Sequence, residues 1–132
     1  MKTLKEETST QRLYWDAENG IVWGELFGNL PTEELAKENV DAQERLRDSL
    51  NKKRTRVLID MTQVTEIAKS ARDYFANERT ASIQRATALL TKSPVSRVIG
   101  NFFMGLNKPI CPTRMFTDPQ KALEWLQTFS DD

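Results

Sequence analysis

The sequence predicts an α/β domain: a mixed sheet, an N-terminal hairpin followed by parallel strands, covered by about four helices. Three observations carry this. An Asn-Gly pair sits inside an aromatic and β-branched segment near the start. Short apolar runs further on read as strands buried on both faces. Helical patterns with clear start signals alternate with those runs, and strands separated by helices need crossovers, which makes them parallel.

The chain has 132 residues, enough for a single domain over 1–132, with residues 1–10 expected to be a flexible N-terminal segment. Leu13-Tyr14-Trp15-Asp16 and Ile21-Val22-Trp23-Gly24 flank Asn19-Gly20, residue types that accept the positive φ of both central positions in a type I′ turn. Next, Thr32 precedes Glu33 and Glu34, while Lys52, Lys53 and Arg54 stand at the far end, so acids open a helix and bases close it. That helix would turn Leu35, Ala42, Leu46 and Leu50 inward.

Residues 56–61 form a short apolar run that reads as a buried strand, and residues 62–69 a loop. Ser70-Ala71-Arg72-Asp73 has the spacing of a capping box, so a second helix is expected to start there with Tyr74 and Phe75 facing inward. Residues 86–91 read as the next buried strand. Ser93-Pro94 then opens a third helix, with a cap followed by a proline that gives up no needed donor. Its apolar positions Val95, Val98, Ile99, Phe102, Phe103 and Leu106 keep helical spacing and predict a stripe that anchors the core. Gly100 lies outside the stripe and hints at close packing against the opposite face, near Ser96, Arg97, Asn101 and Met104. Pro109 and Pro112 stiffen the connection to a last strand at residues 113–117. Asp118-Pro119 opens the terminal helix, with Ala122, Leu123, Leu126 and Phe129 as its apolar side.

Charge and inventory narrow the chemistry. Nineteen Lys and Arg balance 19 Asp and Glu, so the domain-wide positive field that favours nucleic acid is missing, and no stretch approaches membrane-spanning length. Neither a nucleic-acid partner nor membrane insertion is expected. The absence of His excludes Ser-His-Asp and Cys-His arrangements and any zinc site with imidazole ligands. The lone Cys111 cannot close an internal disulfide, and together with an N-terminus lacking an apolar run it points to the reducing cytoplasm. None of the five glycines builds a nucleotide-binding turn, and no cofactor is expected.

The remaining chemical candidates each have a structural counterpart. Asp60, at the carboxyl end of a central strand, stands where α/β sheets gather functional groups, or it orders its loop by accepting from Thr62. Cys111 has only Lys108 and Arg114 near it in sequence to activate a thiol, so packing is the better account. Lys52, Lys53, Arg54 and Arg56 could meet a phosphate, but compensation of a helix end explains them better.

The segment from Ser93-Pro94-Val95-Ser96-Arg97 through Gly100-Asn101-Phe102-Phe103, then Lys108-Pro109, Phe116 and Ala122-Leu123-Glu124-Trp125-Leu126, resembles an uncharacterised bacterial branch of STAS-like proteins. The resemblance covers most of the chain and implies the fold of anti-sigma-factor antagonists and of sulfate-transporter cytoplasmic domains. In the antagonists a strand ends in Asp-Leu-Ser and a loop leads to Asp-Ser-Ser-Gly at a helix start, whose first serine a partner kinase phosphorylates. Asp60-Met61-Thr62 matches the beginning, but Ala68-Lys69-Ser70-Ala71 stands at the end, with Lys69 in place of the modified serine. Ser70 therefore reads as a helix cap, although a phosphate there would gain from the helix N-terminus, Lys69 and Arg72.

The resemblance implies a non-enzymatic, regulatory interaction domain that binds a protein partner, with Thr62, Thr65, Lys69, Ser70 and Arg72 as the contact residues. The alternative is a small apolar-ligand or lipid-binding domain with a cleft between sheet and helices, since the fold is similar to lipid-transfer folds of the CRAL-TRIO kind. No spacing groups carboxylates, Lys, Tyr and Cys111 for catalysis. A homodimer is expected, because three Trp and the Gly100 face offer flat contact area.

Overall fold

The opening hairpin forms, with a longer loop than the Asn-Gly pair predicts. The structure is a computed structural model describing residues 1–131. Strand β2 (Gln11–Asp16) pairs antiparallel with β3 (Ile21–Leu26), and Asp16 stands opposite Ile21, which leaves four residues in the loop. Of the expected pair only Gly20 has positive φ, at 67°, so the turn is not type I′. The Asp16 carboxylate takes over: it accepts from the Asn19 backbone N–H (3.1 Å), Asn19 Nδ2 (2.7 Å) and Trp23 Nε1 (3.4 Å).

Within residues 1–10, expected as a flexible segment, a strand forms. Strand β1 (Lys2–Glu7) pairs antiparallel with β2 through a register irregularity between Leu4 and Glu6. It buries almost nothing, so apolar patterning gives no sign of it; backbone pairing holds it, with Lys2 Nζ 4.1 Å from the Trp23 ring centroid and Glu6 3.0 Å from Arg45.

Helix α1 (Glu33–Ser49) starts as predicted, with Thr32 Oγ1 accepting from the Leu35 N–H. Its inward face is more polar than predicted, since Asn39 and Gln43 are buried beside Val40 and Leu46. The basic residues beyond it serve as ties. Lys52 pairs with Asp131 at 2.8 Å, and the Arg56 guanidinium donates to the carbonyls of Asn19, Gly20 and Phe129.

Strands β4 (Thr55–Asp60), β5 (Gln84–Leu90) and β6 (Thr113–Phe116) extend the sheet in parallel from β3, so the strand order repeats the chain order, β1 to β6. The register aligns Glu25, Asp60, Leu90 and Phe116, which sets the carboxyl edge where the loops emerge. The expected second helix divides into α2 (Lys69–Phe75) and α3 (Glu78–Ile83), because Asn77 caps the latter by accepting from the Thr80 N–H. Ser70 is not a cap: Ala68 holds that position and α2 has no side-chain cap. Asp73, the acid of the expected box, turns instead to Lys69 and Asn107.

Helix α4 (Pro94–Phe102) has the predicted cap, Ser93 and Ser96 bonding reciprocally, and continues into a π-helical turn (Phe103–Asn107). It is rotated from the expected orientation. Ser96, Ile99 and Gly100 face the sheet, while Val95, Val98, Phe102 and Leu106 are 46–71% exposed. A Cβ on Gly100 would stand 2.9 Å from Met115 Cε, so the small residues let the helix approach the sheet closely. Helix α5 (Pro119–Leu126), capped by Asp118, packs Ala122 and Leu126 with Ile21, Leu58, Ala88 and Leu90. The larger core joins Leu13, Val22, Val57, Ile59 and Leu89 to Ala42, Leu46, Ala71 and Ile99 of the other helices.

Candidate functional site

The loop after β4 is pinned along its length. Asp60 Oδ1 accepts from the Thr62 N–H (2.9 Å) and Thr62 Oγ1 (2.6 Å), the loop-ordering role set out from the sequence. Asn29 Oδ1 accepts from the Thr65 N–H (3.0 Å), Thr65 Oγ1 (3.2 Å) and the Glu66 N–H (3.2 Å). Leu30 bridges the far end, donating to Glu66 O and accepting from the Ala68 N–H. Arg72 Nη1 donates to Ile67 O at 2.7 Å and its Nε to Asn107 Oδ1 at 3.0 Å. Below the loop, Met61, Val64 and Ile67 are buried.

Of the five residues expected to meet a partner, Lys69, Ser70 and Thr65 are exposed, and Thr62 and Arg72 are half-buried. Lys69 lies 2.8 Å from Asp73, and its hydrogen bond is the main cause that holds that carboxyl below the usual range; burial opposes it, and Asn107 and the nearby cations add to the lowering. The cations beside Ser70 are thus already engaged, which weakens the case for a phosphate there. The sequence reading missed Asn29 and Asn107 as anchors. Asn29 carried a partial signal, an Asn in a connection whose side chain meets backbone outside strands and helices, whereas Asn107 ends the π-helical turn and bonds only the side chains of Arg72 and Asp73.

Behind this edge a cavity of about 60 Å³ opens between the sheet and helices α2 and α4, its wall including Phe75, Ile99, Phe103, Gln84 and Cys111. Small-molecule sites occupy about 300–1,000 Å³, so the cleft has room for waters and not for a lipid chain. A polar chain crosses its floor, Gln43 Nε2 donating to Gln11 Oε1 (3.2 Å) and Gln84 Nε2 to Gln43 Oε1 (2.7 Å). The Cys111 thiol contacts Gln84, Thr87 and Thr113, all neutral, at 3.6–3.7 Å. The Gly100 face, expected as a dimer contact, packs against Met115 and Thr91 within the domain, and the three Trp are half-buried against the two cores.

Among the described residues no helix is long and apolar enough to cross a membrane. An uncharacterised protein of the DUF3478 family with a SpoIIAA-like fold, from Shewanella loihica PV-4, is 15% identical over 96% of this chain and 92% of that one, with a TM-score of 0.51. The fold is accordingly SpoIIAA-like, that is, STAS-like. A protein of unknown function from Arthrobacter sp. FB24 is 30% identical over 87% of this chain and 97% of that one, with a TM-score of 0.30. No curated protein matches the chain. A family model described as Domain of unknown function (DUF7793) matches residues 16–130, and the chain belongs to that family.

Proposed function

We propose that the protein is a non-enzymatic regulatory domain of the cytoplasm that recognises a protein partner through the 61–68 loop and the start of α2. The observation that carries this reading is the fixed loop. Its backbone is held from Asp60, Asn29, Leu30 and Arg72, yet Gln63, Thr65, Glu66, Lys69 and Ser70 are exposed. A loop ordered before binding avoids the cost of ordering it in the complex, which is what recognition from a rigid scaffold requires. The STAS-like fold supports the same reading, since the resemblance implies recognition at this edge.

Two variants test it on the full chain, by quantifying partners that co-purify from the native host. Lys69→Glu reverses an exposed charge at the α2 start and should reduce the bound partner at least tenfold. Asn29→Ala removes the acceptor for Thr65 and Glu66 while keeping the identity of every contact residue, so it should weaken binding several-fold by loosening the loop. A partner retained equally by both variants would remove this surface from the account.

A further inference from the structure

Helix α4 and the turn after it carry an apolar ridge that the chain leaves uncovered: Val95, Val98, Phe102, Leu106 and, beyond the turn, Ile110, at 46–71% exposure. Contiguous exposed apolar area of this kind marks a contact with another phase or molecule. The charged groups of the same segment have one sign. Residues 92–117 contain Lys92, Arg97, Lys108 and Arg114 and no Asp or Glu. All four are exposed, and among the described residues none has a carboxylate within ion-pair distance. The neutral total of the whole chain conceals this, because the balancing acids lie outside the segment.

We propose that this ridge docks on the surface of an anionic lipid bilayer. Apolar side chains on a helix with Lys and Arg beside them are what the interfacial zone accepts: the apolar groups enter the acyl boundary while long cationic side chains reach back to the phosphates. The two most exposed side chains, Leu106 at 71% and Ile110 at 60%, flank Lys108. An acidic protein would also answer the cations, but two features favour lipid. None of the ridge side chains lines the cavity beneath α4, so the apolar side chains are projections, and that cavity gives a partner's anchor no seat among them. Its side chains are aliphatic apart from Phe102 and have Lys or Arg beside them, the make-up of the apolar face of an interfacial helix. The placement is independent of the 61–68 loop, so docking and partner recognition are separable.

Cosedimentation of the full chain with vesicles tests this, using phosphatidylcholine alone or mixed with phosphatidylglycerol. The protein should bind the mixed vesicles, release as salt is raised, and stay unbound with phosphatidylcholine. Each cation near such a surface is worth about fivefold in partitioning, so Arg97→Gln with Lys108→Gln should lower binding about 25-fold. Phe102→Ser with Leu106→Ser should abolish it. Lys69→Glu should leave it unchanged, which distinguishes failure here from failure of the proposed partner surface. The replaced side chains are exposed, so circular dichroism and melting should match the parent; should the apolar pair alter the fold, the charge pair alone decides. Absence of binding to mixed vesicles, equal binding to both vesicle types, or undiminished binding by the charge pair overturns the proposal. So does salt-sensitive binding to immobilised polyglutamate in place of vesicles, which would point to an acidic protein. A dimer in sedimentation that dissociates on Phe102→Ser would seat a second copy on the ridge and overturn it as well.

Discussion

Asp16 shows how much one buried carboxylate can organise. It is 4% exposed, and its acceptors hold Asn19 and Trp23 in the hairpin turn. Burial pushes its carboxyl up, but the donors from Asn19 and Trp23 outweigh that and keep it below the usual aspartate value. Asp16→Ala should therefore cost about 2 kcal/mol in urea denaturation at neutral pH, since it strands those donors. The sign with pH follows from the lowered folded value: this stabilisation is complete above the ordinary aspartate range and fades as pH falls through the lowered value. The gap between parent and variant should accordingly narrow in acid. The turn itself was half legible. Asn19-Gly20 located the hairpin, but a neighbouring carboxylate can satisfy the Asn and convert a two-residue turn into a four-residue one, as Asp16 does here.

At the scale of elements, α4 is where sequence and structure part. Periodicity identified the helix, its cap and its apolar stripe, yet hydrophobicity does not say which face meets the sheet. Close approach decided it: Gly100 fits against Met115 and Thr91 and Ser96, four residues before it, is fully buried, whereas Val98 and Phe102 at that seam would force the helix away. Small residues at that spacing were the readable signal, and the cost of a mid-helix Gly pointed at it, with inside and outside exchanged. Denaturation of point variants checks the orientation. Ile99→Ala should cost about 2–4 kcal/mol, because Ile99 is 8% exposed in the main core. Val98→Ser or Phe102→Ser should stay within about 1 kcal/mol of the parent, since each is already near half exposed. The loop at the candidate site was legible in its position and in Asp60, but its anchors came from Asn29 and Asn107, 36 residues away from Thr65 and 35 from Arg72, a separation that local pattern cannot bridge.

For the whole molecule, burial grades along the sheet. Nearly all of β1 is exposed, whereas β4 and β5 are buried between α5 on one side and the remaining helices on the other. Hydrogen exchange should follow: amides of β4 and β5 should exchange slowest, through global opening, and those of β1 fastest among the strands, through local fraying. The outer edges are also guarded. Strand β1 carries Lys2, Lys5 and a register irregularity, and β6 is only four residues long, devices that discourage pairing between molecules.

The agreement between strand order and chain order has a consequence for biogenesis. A polypeptide leaving the ribosome adds each new strand to the rim of what has already assembled, and never has to pry apart two neighbours to insert a latecomer. Any arrest during translation leaves a shorter ribbon of the same pattern, and the last strand to emerge, β6, closes the series.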